Sequence, residues 1–122
     1  MIFATPDKVC NRIDKLIAKL ETAEGRIAHH EQEFEVAQRL GLAGPDDGED
    51  IKLWRRVHTQ LIENLPRVRD LIRRGEEDFR QVNRALKHTD RQVFALELDI
   101  QAADRAEEIG RQAARDRFGG MS

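Results

Sequence analysis

Gly41-Leu-Ala-Gly-Pro-Asp-Asp-Gly-Glu49 is the stretch on which the fold turns. Three glycines and Pro45 cannot stay helical, yet strongly helical sequence lies on both sides. Upstream, Val9, Ile13, Leu16, Leu20, Ala23, Ile27, His30, Phe34 and Ala37 recur at alternating steps of three and four. Downstream, Ile51, Trp54, His58, Leu61, Leu65, Val68, Ile72, Gly75, Phe79, Val82 and Leu86 do the same. That repeat keeps one stripe of a helix facing a neighbouring helix. Folding the chain at the break sets Ala37 against Ile51, Phe34 against Trp54, His30 against His58 and Val9 against Phe79. The expectation is an all-α chain built on an antiparallel, coiled-coil-like helical hairpin.

The ends of the helices are marked by local chemistry. Thr5-Pro6-Asp7 is a helix start: a side-chain cap, a ring suited to the first turn, and an acid at the positive end of the dipole. Helix 1 is expected over about 6–40, ending at Gly41, and the loop over 41–49. Helix 2 is expected over about 50–87, bent at Pro66, with Gly75 as a small seam residue opposite Ile13. Thr89-Asp-Arg-Gln92 reads as a capping box, and Lys87 and His88 suit the last turn of a helix before it. Helix 3 then occupies about 90–117 and a tail 118–122. The seam nevertheless runs on in phase through Thr89, Val93, Leu96, Ile100 and Ala103, as one long helix would. A turn at Thr89 makes a three-helix bundle; no turn makes an extended dimerisation arm.

Composition narrows the function. The chain has 122 residues, the length of a single domain; 36% are charged, 5% are aromatic, and the net charge is −2. So few large side chains suit narrow helix–helix seams, and the near-balance of charge is not that of a nucleic-acid-binding polycation. The single cysteine, Cys10, excludes an intrachain disulfide and fits a reducing compartment. The first residues lack the pattern of a signal peptide and no apolar run approaches the ~20 residues of a membrane span. A cytoplasmic location without a membrane role is expected.

The catalytic inventory is poor. The only serine is Ser122, Cys10 reads as a small apolar filler beside the seam, and no glycine-rich phosphate loop is present. No cofactor and no catalytic residue are expected. His30 and His58, with Glu33 one turn away, are the weak candidates for a metal, since facing histidines and a carboxylate can bind zinc inside a bundle. A wet, register-setting layer is the plainer explanation of them. Asp46, Asp47, Glu49 and Asp50 lack the spacing of a calcium loop.

Arg69, Arg73, Arg80, Arg84, Lys87 and Arg91 recur at helical steps and would form a basic ridge roughly 33 Å long on one helix. Such a ridge suits an acidic protein surface or a phosphate backbone; local ion pairs with Asp70 and Glu76 are the plainer reading. Ile17, Val36, Leu40, Ile62, Leu71, Phe94 and Leu98 lie off the main seam and require a third helix or a partner to cover them. These features imply a non-enzymatic helical interaction module, an adaptor, inhibitor or assembly subunit whose partner is another protein or a second copy in a homodimer. A nucleic-acid-associated regulator is the alternative.

Overall fold

The computed structural model describes residues 3–44 and 46–119. Pro45, read as part of the break, and residues 120–122, read as part of a tail, fall outside them. The described residues contain three helices and no strand: α1 over Pro6–Arg39, α2 over Glu49–Arg73 and α3 over Phe79–Gly119. At 1.5 Å per residue, α2 is about 37 Å long and α3 about 60 Å.

The start of α1 follows its sequence signal. Thr5 has extended backbone angles and its side-chain oxygen accepts the Lys8 N–H at 3.2 Å, with Pro6 in the first turn. At the other end Gly41 takes φ 71°. Its N–H donates to Gln38 O, and the Leu42 N–H reaches back to Ala37 O at 2.8 Å. This pair of reversed bonds is the Schellman arrangement, which needs a residue at positive φ and so selects glycine.

The same device recurs where a continuous helix was expected. Gly75 has φ 73°, its N–H donates to Ile72 O at 3.0 Å, and the Glu76 N–H donates to Leu71 O at 2.9 Å. Helix α2 therefore stops at Arg73 instead of running to residue 87. Asp78 then opens α3: its carboxylate accepts the Arg80 N–H at 2.9 Å, and Glu76 and Glu77 add negative charge at the positive end of the new helix. Thr89-Asp-Arg-Gln92 lies inside α3 and caps nothing. The expected turn exists but comes fourteen residues early. Pro66 is accommodated within α2, which continues through it.

The core follows the seams closely. Val9, Ile13, Leu16, Leu20, Ala23 and Ile27 are buried on α1, Trp54, Leu65 and Ile72 on α2, and Leu86, Val93, Leu96 and Ile100 on α3. Helix α1 lies at the centre: it packs most extensively on α2, next on α3, while α2 and α3 touch least. Cys10 and Ile17, beside the first seam, are buried as well. Of the remaining off-seam residues, Ile62 and Leu71 are half-buried, whereas Val36, Leu40, Phe94 and Leu98 are exposed.

The register between α1 and α2 is displaced from the expected one. Cys10 meets the Arg69 carbonyl, Asp14 meets Arg69, Leu20 O meets His58, and His30 meets Trp54. Contacts thus climb α1 as they descend α2, but one to nearly three turns out of step with a His30–His58 layer: His30 meets Trp54, and His58 meets Leu20. Phe34 shows why. Gly48 is buried beneath it, and any Cβ at Gly48 would overlap the Phe34 ring. Seating Phe34 on a bare backbone moves Trp54 down to His30.

Candidate functional site

Helices α1 and α3 run in the same direction at a fixed offset. Arg12 pairs with Asp90, Arg26 with Asp104, and His29 with Glu107, each 78 residues apart. Because both helices share one pitch, the offset brings His29-His30 opposite Asp104-x-x-Glu107, two carboxylates on successive turns of one face of α3. His30 Nε2 donates to Asp104 Oδ1 at 2.8 Å, and its Nδ1 lies 4.0 Å from Glu107 Oε2. His29 Nε2 donates to Glu107 Oε1 at 2.9 Å. The His30 ring is buried, standing edge-on to Trp54 at 5.7 Å and to His29 at 5.3 Å.

Two arginines complete the cluster. Arg26 pairs with Asp104, and Arg111 with Glu107 and Glu108. Burial alone would raise the Asp104 carboxyl, but the hydrogen bonds from His30 and Arg26 outweigh it and hold the group below its usual value. The hydrogen bond from His29 lowers the Glu107 carboxyl against a smaller cost of burial, with help from Arg111. A hollow of about 460 Å³ lined by Gly25, Arg26, His29, Asp104, Glu107, Glu108 and Arg111 opens onto these groups. Among the described residues, His30, Asp104 and Glu107 form the only group of three or more side chains with metal-ligating atoms close together, all within 4.8 Å.

The expected set His30, His58 and Glu33 is not brought together. His58 lies one turn beyond Trp54 on α2, where its Nε2 donates to Leu20 O at 2.8 Å and its Nδ1 lies 3.5 Å from Glu24, well short of His30 along α1. Arg55 links that carboxylate to Glu31. The hydrogen bond from Arg55 lowers the Glu24 carboxyl, and the bonds to Glu31 and Glu24 raise the Arg55 guanidinium further. This second cluster is a clamp between α1 and α2, with its charges paired among themselves. Glu33 is exposed.

The basic ridge is broken by the turn at Gly75. Arg69 and Arg73 end on α2, both directed at Asp14. Arg80, Arg84, Lys87 and Arg91 lie on α3, exposed, at steps of four, three and four. Among the described residues Arg84, Lys87 and Arg91 have no ion pair, and Arg80 lies over the Phe79 ring. The charged run has shrunk from roughly 33 Å to about 16 Å. Cys10 is buried, with its thiol directed at the Arg69 carbonyl 3.8 Å away. In the loop, the Asp47 carboxylate accepts the Gly44 N–H at 2.7 Å, a local turn contact.

The off-seam residues Phe94 and Leu98 belong to the outer face of α3. Phe94, Leu98, Ala102, Ile109 and Ala113 fall on one stripe at helical steps, roughly opposite the buried Val93, Leu96 and Ile100. Phe94 and Ile109 are each more than 60% exposed. Every residue from Glu108 to Phe118 is exposed, a run of about 16 Å along α3. No helix among the described residues is long and apolar enough to cross a membrane. No protein-family model, curated protein or solved structure matches the chain.

Proposed function

We propose that this chain is a non-enzymatic helical interaction module, a small adaptor, inhibitor or assembly subunit, that works by presenting the outer face of α3 to another protein in the cytoplasm. The observation that carries the reading is the exposed stripe Phe94, Leu98 and Ile109 on a helix whose opposite face already fills the core. Large apolar side chains spaced at helical intervals are what a helix-in-groove or helix-to-helix contact requires. The pairing of α1 with α2 is taken as an antiparallel, coiled-coil-like hairpin that serves as the rigid base for α3.

A second copy of the chain is the simplest partner. Light scattering on the eluted protein across a concentration series tests it, with Leu98→Glu and Ile109→Glu as controls. Both positions are exposed, so the substitutions leave the bundle folded. A dimer that becomes monomeric on either substitution supports self-association. A wild-type monomer at every concentration removes the homodimer, and unchanged partner capture by both variants removes the α3 face altogether.

One observation favours a second reading, a nucleic-acid-associated regulator: Arg84, Lys87 and Arg91 are exposed and without ion pairs among the described residues. It predicts binding to duplex or single-stranded probes at ~50 mM salt that weakens steeply as salt rises and on Arg84→Ala or Arg91→Ala. The absence of any mobility shift at that salt would remove it.

A further inference from the structure

We propose that His30, Asp104 and Glu107, joined by His29, form a site for one divalent transition-metal ion of the zinc class, which would pin α3 to α1 at this level. Such a site does not depend on which partner α3 meets.

The donor set selects the class of ion. Imidazole nitrogen with carboxylate oxygen suits zinc, cobalt and nickel, whereas calcium and magnesium take oxygen donors. The residues come from two helices that converge here, His29 and His30 from α1, Asp104 and Glu107 from α3. His30 is held by Trp54 on one side and by α3 on the other, so one ligand is already oriented by packing. Its neighbours are adjustable. Ligating atoms now within 4.8 Å must close to about 3.4 Å for tetrahedral bonds of ~2.0–2.1 Å, a change that rotation of the Glu107 and Asp104 side chains supplies. The hollow lined by Gly25, His29, Asp104 and Glu107 opens the cluster to solvent.

Arg26 and Arg111 repel a cation at this position, but neither is fixed there. Each is 56% exposed, so both can turn into water without disturbing the core. Arg111 keeps Glu108 as a partner when Glu107 is taken. In the metal-free state the guanidiniums neutralise the carboxylates; the metal displaces them, and any proton on a ligating imidazole nitrogen leaves to solvent. The arginines thus compete with the ion, and removing either one favours it.

The test uses the full, untagged chain titrated with cobalt(II) and followed by its visible ligand-field absorption, with zinc then added to displace it. One equivalent per chain is expected, in a tetrahedral spectrum that zinc abolishes. Glu107→Gln should weaken binding at least about tenfold, and His30→Asn likewise. Arg26→Ala and Arg111→Ala should instead tighten it, which a residue with only a structural role would not do. Should His30→Asn fail to fold, the Glu107 and arginine variants still decide the matter, since they change exposed or half-buried side chains. No cobalt spectrum at 1:1 stoichiometry, or a spectrum indifferent to Glu107→Gln and to both arginine variants, overturns the site.

Discussion

Phe34 and Gly48 set the register of the hairpin through the absence of one carbon atom. Gly48 has φ −98°, which alanine tolerates, so Gly48→Ala would act through the Phe34 ring alone and should cost about 1–3 kcal/mol, as overpacking does. Gly25 is the control: it lies mid-helix, and a Cβ added there would have nothing within 4 Å, so Gly25→Ala should gain about 1 kcal/mol. Urea unfolding of the two variants checks both signs; equal shifts would refute the packing role of Phe34. Three carboxylates, Glu24, Asp104 and Glu107, are held below their usual values of 4.5, 3.8 and 4.5 by the hydrogen bonds they accept. A depressed native value means that the unfolded chain binds protons first as the pH falls. The stability they contribute is therefore complete above about pH 5 and drains as the pH drops through the lower folded values. Between about pH 5 and 3 the unfolding free energy of the wild type should fall more steeply than that of the Glu24→Gln/Asp104→Asn double variant, measured by denaturant titration at each pH.

At the scale of elements, α2 ends at Gly75 because helix termination is a backbone event that seam periodicity does not report. The stripe is in phase on both sides of the turn, since Ile72 and Phe79 are seven residues apart and both contribute to the packed interior. A heptad count therefore passes through the break without a mark. The signal lay in Arg74-Gly-Glu-Glu-Asp78: a glycine able to take positive φ, then acids suited to a helix start. Thr89-x-x-Gln92 has the right letters for a capping box, but the turn that would use them had already been made. Gly75→Ala should cost about 1–2 kcal/mol for forcing a Cβ into the left-handed region, and Asp78→Ala about 1 kcal/mol for the lost cap. Thr89→Ala should stay within about 0.5 kcal/mol. Thermal melts of the three variants rank them, and a Thr89 effect as large as that of Gly75 would place the turn wrongly.

For the whole molecule, moving the turn shortens α2 to 25 residues and lengthens α3 to 41. The chain packs as three helices, with the turn at Gly75 and not at Thr89. A chain ending at Glu107 should lose about 1 kcal/mol, the worth of the half-exposed Glu107–Arg111 and the exposed Glu108–Arg115 pairs. If the proposed interaction is correct, it should also lose partner binding. Equilibrium unfolding and light scattering of that truncated chain read the two effects separately, and a collapse in stability would show that residues 108–119 belong to the core. Much of this architecture was legible in the sequence because periodicity is a local property: Val9 to Ile27, Trp54 to Ile72 and Val93 to Ile100 announce their own buried faces. The start of α1 and its glycine end were equally readable, since capping is decided by a few neighbouring residues. What the sequence could not settle was every quantity that relates one helix to another. The slip that parts His30 from His58 depends on how Phe34 seats over Gly48. The meeting of His29-His30 with Asp104-x-x-Glu107 depends on the 78-residue offset between α1 and α3, and that offset follows from where the chain turns. Sequence by itself determined which side of each helix is buried; only the tertiary structure decided which residues face one another, because register is set by steric fit between side chains distant along the chain.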